Sequence, residues 1–395
     1  MAARAITIEE RRARVAQRHH LAPAARSDDV ARIADGVVAL HSSDPVSVYL
    51  SAAARMAAPS IDAVSDALYA DRSVVRLHAM RRTLWVASPD VARMAHAAAT
   101  VKLVAPERRR LVKLLEDNGV DDGEAWIAAA APRILDLLDA AGEATTREIG
   151  ESLPDLRHPI ALAPGKKYDQ TVSAHTRMLT LLGFEGDVIR TRPVGTWVSG
   201  QYRWAHATRW MPDGRGLDGD DARAAAAGLA RRWLRAFGPA TEADLQWWTG
   251  WTARTTRAAL DDAGAVAVSV DGGDAWVGGD DADAVSTDAE WVAFLPGLDP
   301  ATMGWKERSW YLDRAHANRL FDRNGNGGPA VWVDGRIVGS WMQRPDGEIA
   351  YTLFTKLPRQ RAAEVEAAAA DLQALLGDTR VSVRFPPPVA AELLA

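Results

Sequence analysis

TVSAHTRMLTLLG (residues 171–183), followed by GDVIRTRPVGTWVSGQYRWA (residues 186–205), decides the fold. In the first stretch Met178, Leu179 and Leu182 recur at helical spacing, which predicts a helix closed by Gly183 with His175 and Arg177 facing outward. The second alternates like a hairpin around a Pro-Gly-containing connection. Upstream, TREIGESL (residues 146–153) reads as a short helix capped by Thr145 or Thr146, and an irregular linker follows it. A helical pattern over about residues 106–140 precedes both and ends at Gly142, a C-cap residue. Three helices followed by a hairpin is a winged helix, a relative of the helix-turn-helix arrangement.

The series recurs. LARRWLRAFG (229–238), TEADLQWWTG (241–250) and TARTTRAALDDAG (252–264) give three helical pieces, and AVAVSVDGGDAWV (265–277) gives a hairpin with an Asp-Gly turn. Beyond it, AVWVDGRIVGSWMQRPDGEIAYTLF (330–354) carries two Asp-Gly turns between alternating strands, the pattern of a small antiparallel sheet. RNGNGGP (323–329) reads as a flexible loop whose glycines do not match a phosphate-binding loop. An Ala-rich helix over about 358–376 and a strand RVSVRF (380–385) complete this part.

Toward the N-terminus, Thr7 and Glu10 have capping-box spacing for a helix to about His19. A second helix opens at Ser27 and carries Val30, Ile33, Val37 and Leu40 on one face. Asp44 then caps a third, with Pro45 at its first position. VVRLHAMRRTLWVA (74–87) reads as β-rich with an arginine pair at its centre. The expected fold is α+β: tandem winged-helix domains with a C-terminal antiparallel β domain, divided at residues 1–105, 106–212, 213–285 and 286–395.

A chain of 395 residues with 48% hydrophobic and 25% charged content is globular, and it is long enough for two to four packed units. With no cysteine, disulfides, thiolate nucleophiles and zinc–cysteine sites are excluded. No stretch approaches the roughly 20 apolar residues of a membrane span, and no secretory signal opens the chain. A cytoplasmic, nucleoid-associated protein is the expectation. Net charge is −5. Acidic residues gather at 218–223 and 278–290. Basic residues gather in RHH (18–20), RRRLVK (108–113), GKK (165–167) and around 190–209. Arginine carries most of the positive charge, which suits bidentate phosphate contacts and equally reflects a GC-rich coding bias.

Arg81 and Arg82 are placed for phosphate contact or are a solvated strand end. His175 and Arg177 have the geometry of a recognition helix, although outward polar residues on any helix look alike. Arg190, Arg192, Gln201 and Arg203 are candidate backbone contacts on the first hairpin. The 15 tryptophans serve cores and domain seams better than base stacking, Trp247, Trp248 and Trp251 included. The histidines offer no i,i+4 ligand pair, His19-His20 is a surface feature, and neither metal nor cofactor is expected.

VVALHSSDPVSVYLSAAARM (37–56), RLHAMRRTLWVAS (76–88), GQYRWAHATRW (200–210), WVAFLPGLDPATMGW (291–305) and VDGRIVGSWMQR (333–344) resemble successive blocks of the AlkZ/YcaQ family of winged-helix DNA glycosylases. That resemblance implies hydrolysis of the N-glycosidic bond of an alkylated purine in double-stranded DNA, monofunctionally, by a monomer. It places the family's glutamine motif on His41, Ser42 and Ser43, where neither glutamine is present. A neutral His41 would orient or deprotonate water, Asp44 would stabilise an oxocarbenium-like state or orient His41, and Ser43 would hydrogen-bond. Against this stand plain readings: His41 as a packed histidine on the apolar face shared with Val37, Asp44 as an N-cap alone, and Ser42 and Ser43 as turn residues. The alternatives to an enzyme are a non-catalytic DNA-binding regulator on the same scaffold and a self-resistance protein that shields DNA from a genotoxin.

Overall fold

The computed structural model describes residues 4–162, 165, 170–281, 283–285 and 290–395. Lys166 and Lys167 of the GKK cluster and Asp288 of the acidic stretch lie outside the described residues. Local signals are obeyed at most helix starts. Thr7 Oγ1 accepts the Glu10 N–H ahead of helix Ile8–Arg18, and Asp44 caps Pro45–Ala53. Thr145 and Glu148 form a reciprocal capping box for Thr146–Ser152.

The expected second helix is much shorter. It runs Val30–Gly36 from an Asp29 cap, where the sequence pattern predicts an opening at Ser27 and a face reaching Leu40. Gly36 lies against the His20 ring and the Arg18 carbonyl, Val38 adopts a positive φ, and the chain leaves helical geometry there. Leu40–His41 is instead a short strand pairing with Val86 and Trp85. His41 and Val37 therefore do not share a helix face.

That strand is the edge of a six-stranded sheet. Its order is Leu40–His41, Leu84–Ala87, Val75–His78, Val188–Pro193, Tyr202–His206 and Ala144–Thr145. The hairpin 188–206 thus continues the N-terminal strands across the expected border at residue 105. Arg76 and Arg190 face each other in the register that joins them.

The helical pattern over 106–140 resolves into Val101–Glu116 and Gly123–Ala141. The presumed linker contains an antiparallel pair, Pro159–Leu162 with Gln170–Ser173. The next helix, Ala174–Glu185, runs past Gly183 and ends at left-handed Gly186. Gly183 is there for space: a Cβ would stand 2.9 Å from His78 Nδ1.

In the second series, helices Ala222–Phe237, Glu242–Thr249 and Ala253–Asp262 precede the hairpin Val266–Val270/Gly273–Val277. Strand Arg4–Ile6 adds to this hairpin in parallel. The C-terminal part is a four-stranded antiparallel sheet, Val292–Leu295, Ala330–Val333, Arg336–Gln343 and Ile349–Leu353, with helix Arg359–Leu376 packed on it.

RVSVRF is not a strand. Its Val381 N–H is taken by Gln343 Oε1 at 2.8 Å and its Arg384 N–H by Asp44 Oδ2 at 2.9 Å, so side chains satisfy backbone that a neighbouring strand otherwise would. RNGNGGP is wound on Asp322, whose carboxylate accepts from the backbone N–H of Asn324 and Asn326 and from Asn326 Nδ2. His19 and His20 are both buried, bonded to the carbonyls of Ala236 and Ala25; they are not a surface pair.

Candidate active site

His41, which ends the edge strand, and Ser43, in the turn before helix Pro45–Ala53, border a cavity of about 60 Å³ that Arg81, Trp85, Asn326 and Phe385 also line. Pro45 holds Asp44 extended (φ −108°), which turns the chain sharply after His41. The turn brings the Ser43 N–H to His41 Nδ1 at 3.3 Å. A nitrogen that accepts cannot carry the ring proton, so in the neutral ring the proton sits on Nε2. Among the described residues nothing pairs with Nε2. Burial, and then the Arg81 charge, push the His41 pKa down to about 3. His41 is thus a neutral N–H donor at physiological pH and a poor base.

Ser42 does not line the cavity. Its Oγ accepts from Arg76 Nε at 2.9 Å, and the Arg76 guanidinium also reaches Tyr69 Oη and the Thr191 carbonyl. Asp44 is 4% exposed and lies outside the lining. Its Oδ1 accepts the Val46 N–H at 3.2 Å and its Oδ2 the Arg384 N–H, while burial raises its pKa. It caps a helix and ties residues 384–385 to the site.

Arg81 and Arg82 occupy consecutive positive-φ positions in the turn Met80–Arg82, which thrusts both side chains outward. Arg81 lines the cavity and lies 4.4 Å over the Trp247 ring, while Arg308 approaches the same ring at 5.3 Å. Burial and the neighbouring Arg308 lower the Arg81 pKa. Arg82 pairs with Glu107 at 3.1 Å. Of the three expected structural tryptophans, Trp248 and Trp251 are buried, but Trp247 is half-buried between two guanidiniums.

The remaining candidates do not join this cavity. His175 does not face outward: it is 5% exposed, with Nε2 donating to the Thr146 carbonyl at 3.1 Å. The reason is helix packing, since Gly150 of helix Thr146–Ser152 leaves room for the imidazole. Arg177 lines a separate cleft with Glu107 and Arg110. Arg192 bonds the Tyr69 carbonyl and Arg203 pairs with Glu148, both at 2.9 Å. Gln201 is exposed. Arg190 stacks at 4.9 Å from the Trp204 ring.

Sequence reasoning missed Asn326, Phe385, Arg308 and Arg384. Each comes from a loop distant in sequence, and nothing local marks it. Together the cavity offers an N–H donor, two hydroxyls, a carboxamide and a cation between aromatic and aliphatic walls. Among the described residues no carboxylate lines it.

The family described as DNA glycosylase AlkZ-like matches residues 34–375. No curated protein matches the sequence. Among solved structures, Streptomyces sahachiroi DNA glycosylase AlkZ superposes with a TM-score of 0.73 at 21% identity, over 97% of this chain and 100% of that one. At that identity the likeness is one of fold.

Proposed function

This chain belongs to the AlkZ-like DNA glycosylase family, and from that premise we propose that it hydrolyses the N-glycosidic bond of N7-alkylated purines in double-stranded DNA without a following strand-cleavage step. The observation that carries the reading is the neutral His41 with its free Nε2–H at the cavity. An N7-alkylpurine is already cationic, so its departure needs no protein acid. The C1′–N9 bond breaks, its electron pair neutralises the base, and positive charge develops on the sugar. Water then adds to C1′ and releases its proton to solvent. His41 holds that water through Nε2–H, Ser43 supplies a second hydrogen bond, and the Asp44 carboxylate acts through its charge and by fixing the turn. A base with a pKa near 3 is too weak to deprotonate water, so orientation is the role assigned to His41.

Arg81 and Arg82 grip phosphate on the strand entering the cavity, with Arg308 beside them. The two helix-and-hairpin series act as winged helices on a monomer that holds the duplex. On this reading Arg177, Arg192, Gln201 and Arg203 contact backbone phosphates, and His175 serves the same surface only by positioning its helix. The four-unit division and a role in genotoxin resistance belong to the same proposal. The second reading, a DNA-binding protein without catalysis, draws on the absence of a carboxylate from the cavity wall among the described residues.

The test is release of free base from duplex DNA carrying N7-methylguanine or a bulkier N7 adduct. Release that disappears in His41→Ala, with DNA binding retained, is the expected result. Binding without release across several adducts moves the assignment to the non-catalytic protein.

A further inference from the structure

Behind Ser43 the protein keeps positive charge in a place where charge is costly. Arg76 is 1% exposed, and its partners are Ser42, Tyr69, the Thr191 carbonyl and the Tyr202 ring at 4.3 Å. No carboxylate pairs with it among the described residues. Arg190, its register partner, has no hydrogen bond or ion pair among them; its guanidinium lies by the Tyr202 and Trp204 rings, at 5.9 and 4.9 Å from their centres. Its Nε is buried and unsatisfied, and so is Tyr202 Oη.

Arg384 completes the cluster. Its Nη1 donates to the Ser43 carbonyl at 3.3 Å and lies 3.8 Å from where a Cβ on Gly200 would stand, two residues from Tyr202. Asp44 lies nearby, but each of its carboxylate oxygens already accepts a backbone N–H. Burial, with Arg76 and Arg384 adding to it, pushes the Arg190 pKa down to about 10. Arg190 thus feels the charges of both Arg76 and Arg384, and the one carboxylate recorded beside this group, Asp44 next to Arg384, is already engaged.

Among the described residues, a half-buried guanidinium whose buried Nε is unpaired and a buried hydroxyl without a partner call for an acceptor, and the charge calls for an anion. We propose that Arg190, Tyr202 Oη and Arg384 form a phosphodiester-binding site that holds the backbone of the strand whose nucleotide enters the His41 cavity. Arg384 adjoins Phe385 of the cavity wall, so the gripped phosphate lies beside the reacting nucleotide. A phosphate satisfies both orphan groups at once and offsets the charge that Arg76 and Arg190 share. This site rests on the glycosylase reading for its purpose but is tested independently of catalysis.

The experiment measures binding of the full chain to a fluorescent duplex across a salt series, with base release followed in parallel. Arg384→Gln and Arg190→Gln are each expected to weaken binding by roughly tenfold. Each is also expected to lower the salt slope by about one. Tyr202→Phe shifts affinity in the same direction. A single neutral methylphosphonate beside the lesion reproduces the loss in the wild type and adds nothing in Arg384→Gln. Wild-type affinity and slope in all variants that melt like the wild type overturn the site. If Arg190→Gln does not fold, exposed Arg384 and the deletion of one oxygen in Tyr202→Phe decide alone. Unchanged binding with release intact removes the phosphate site and leaves the glycosylase; weakened binding with no release from any protein does the reverse.

Discussion

Arg55 and Asp299 form a two-bond ion pair, 2.8 Å at each contact, with both side chains fully buried. Asp299 also accepts from Ser51 Oγ at 2.6 Å and from the Ala301 N–H at 2.8 Å, where it caps Pro300–Met303. The pair therefore locks the helix that follows His41 onto the segment carrying Leu298 and Met303, two further walls of the cavity. Removing one partner leaves the other charged and dry. Arg55→Met should cost about 3–5 kcal/mol, read from the midpoint of urea unfolding. A cost below about 1 kcal/mol would show that the helix is held by apolar contacts alone.

Asp44 has two roles that one substitution separates. Asp44→Asn keeps an oxygen for the Val46 N–H but removes the charge and, with it, the acceptor of the Arg384 N–H. Base release is expected to fall by roughly 10²-fold while the melting temperature stays within a few degrees. Undiminished release in the folded variant would make Asp44 a cap and a tether, with no electrostatic part in the reaction.

The buried histidines set the acid limit of stability. Burial holds His41 and His78 near 3, against 6.5 when exposed, with Arg81 and Arg190 adding to it respectively. Between those values the unfolded chain binds more protons than the folded one, so stability rises with pH across that window and is lost on acidification through it. The slope approaches roughly 1.4 kcal/mol per pH unit for each histidine. Denaturant midpoints measured from pH 7 down to 4 should fall, and His78→Asn should flatten the curve. The same argument predicts that base release shows no inflection near pH 6.5 belonging to His41; one that vanishes in His41→Gln would mean that the ring titrates there.

Gly183 tests how tightly the first series is docked on the sheet. In an open helix Gly→Ala stabilises by about 1 kcal/mol. Here the added methyl meets the His78 ring at 2.9 Å, and overpacking of this kind costs about 1–3 kcal/mol. A lowered melting temperature for Gly183→Ala is expected; a raised one would place His78 elsewhere.

Signals confined to a few residues were legible in the sequence. The caps at Thr7, Asp44 and Thr145, the Asp-Gly turns at Asp271 and Asp334, and the two helix–hairpin series were visible because each rests on hydrogen bonds or periodicity within one element. His41, Ser43 and Arg81 likewise stand out in the sequence, beside an Asp-Pro helix start and in an arginine pair. What the site does with them was not visible. A helical pattern through Leu40 gave way because Leu40 and His41 pair with Val86 and Trp85, contacts no local rule contains. The expected strand at 380–385 lost to side-chain acceptors on Gln343 and Asp44.

The sequence by itself determined the helix caps, the Asp-Gly hairpin turns and most of the helical segments, and that a histidine stands before an Asp-Pro helix start. Only the tertiary structure decided that His41 is a neutral donor, that Asn326 and Phe385 close its cavity, and that Arg190 lies half-buried with no counter-ion among the described residues. Caps and turns are short-range bonds, made wherever the residues occur. Protonation, cavity walls and unpaired charge depend on desolvation by residues far apart in the chain, and that exists only once they have packed.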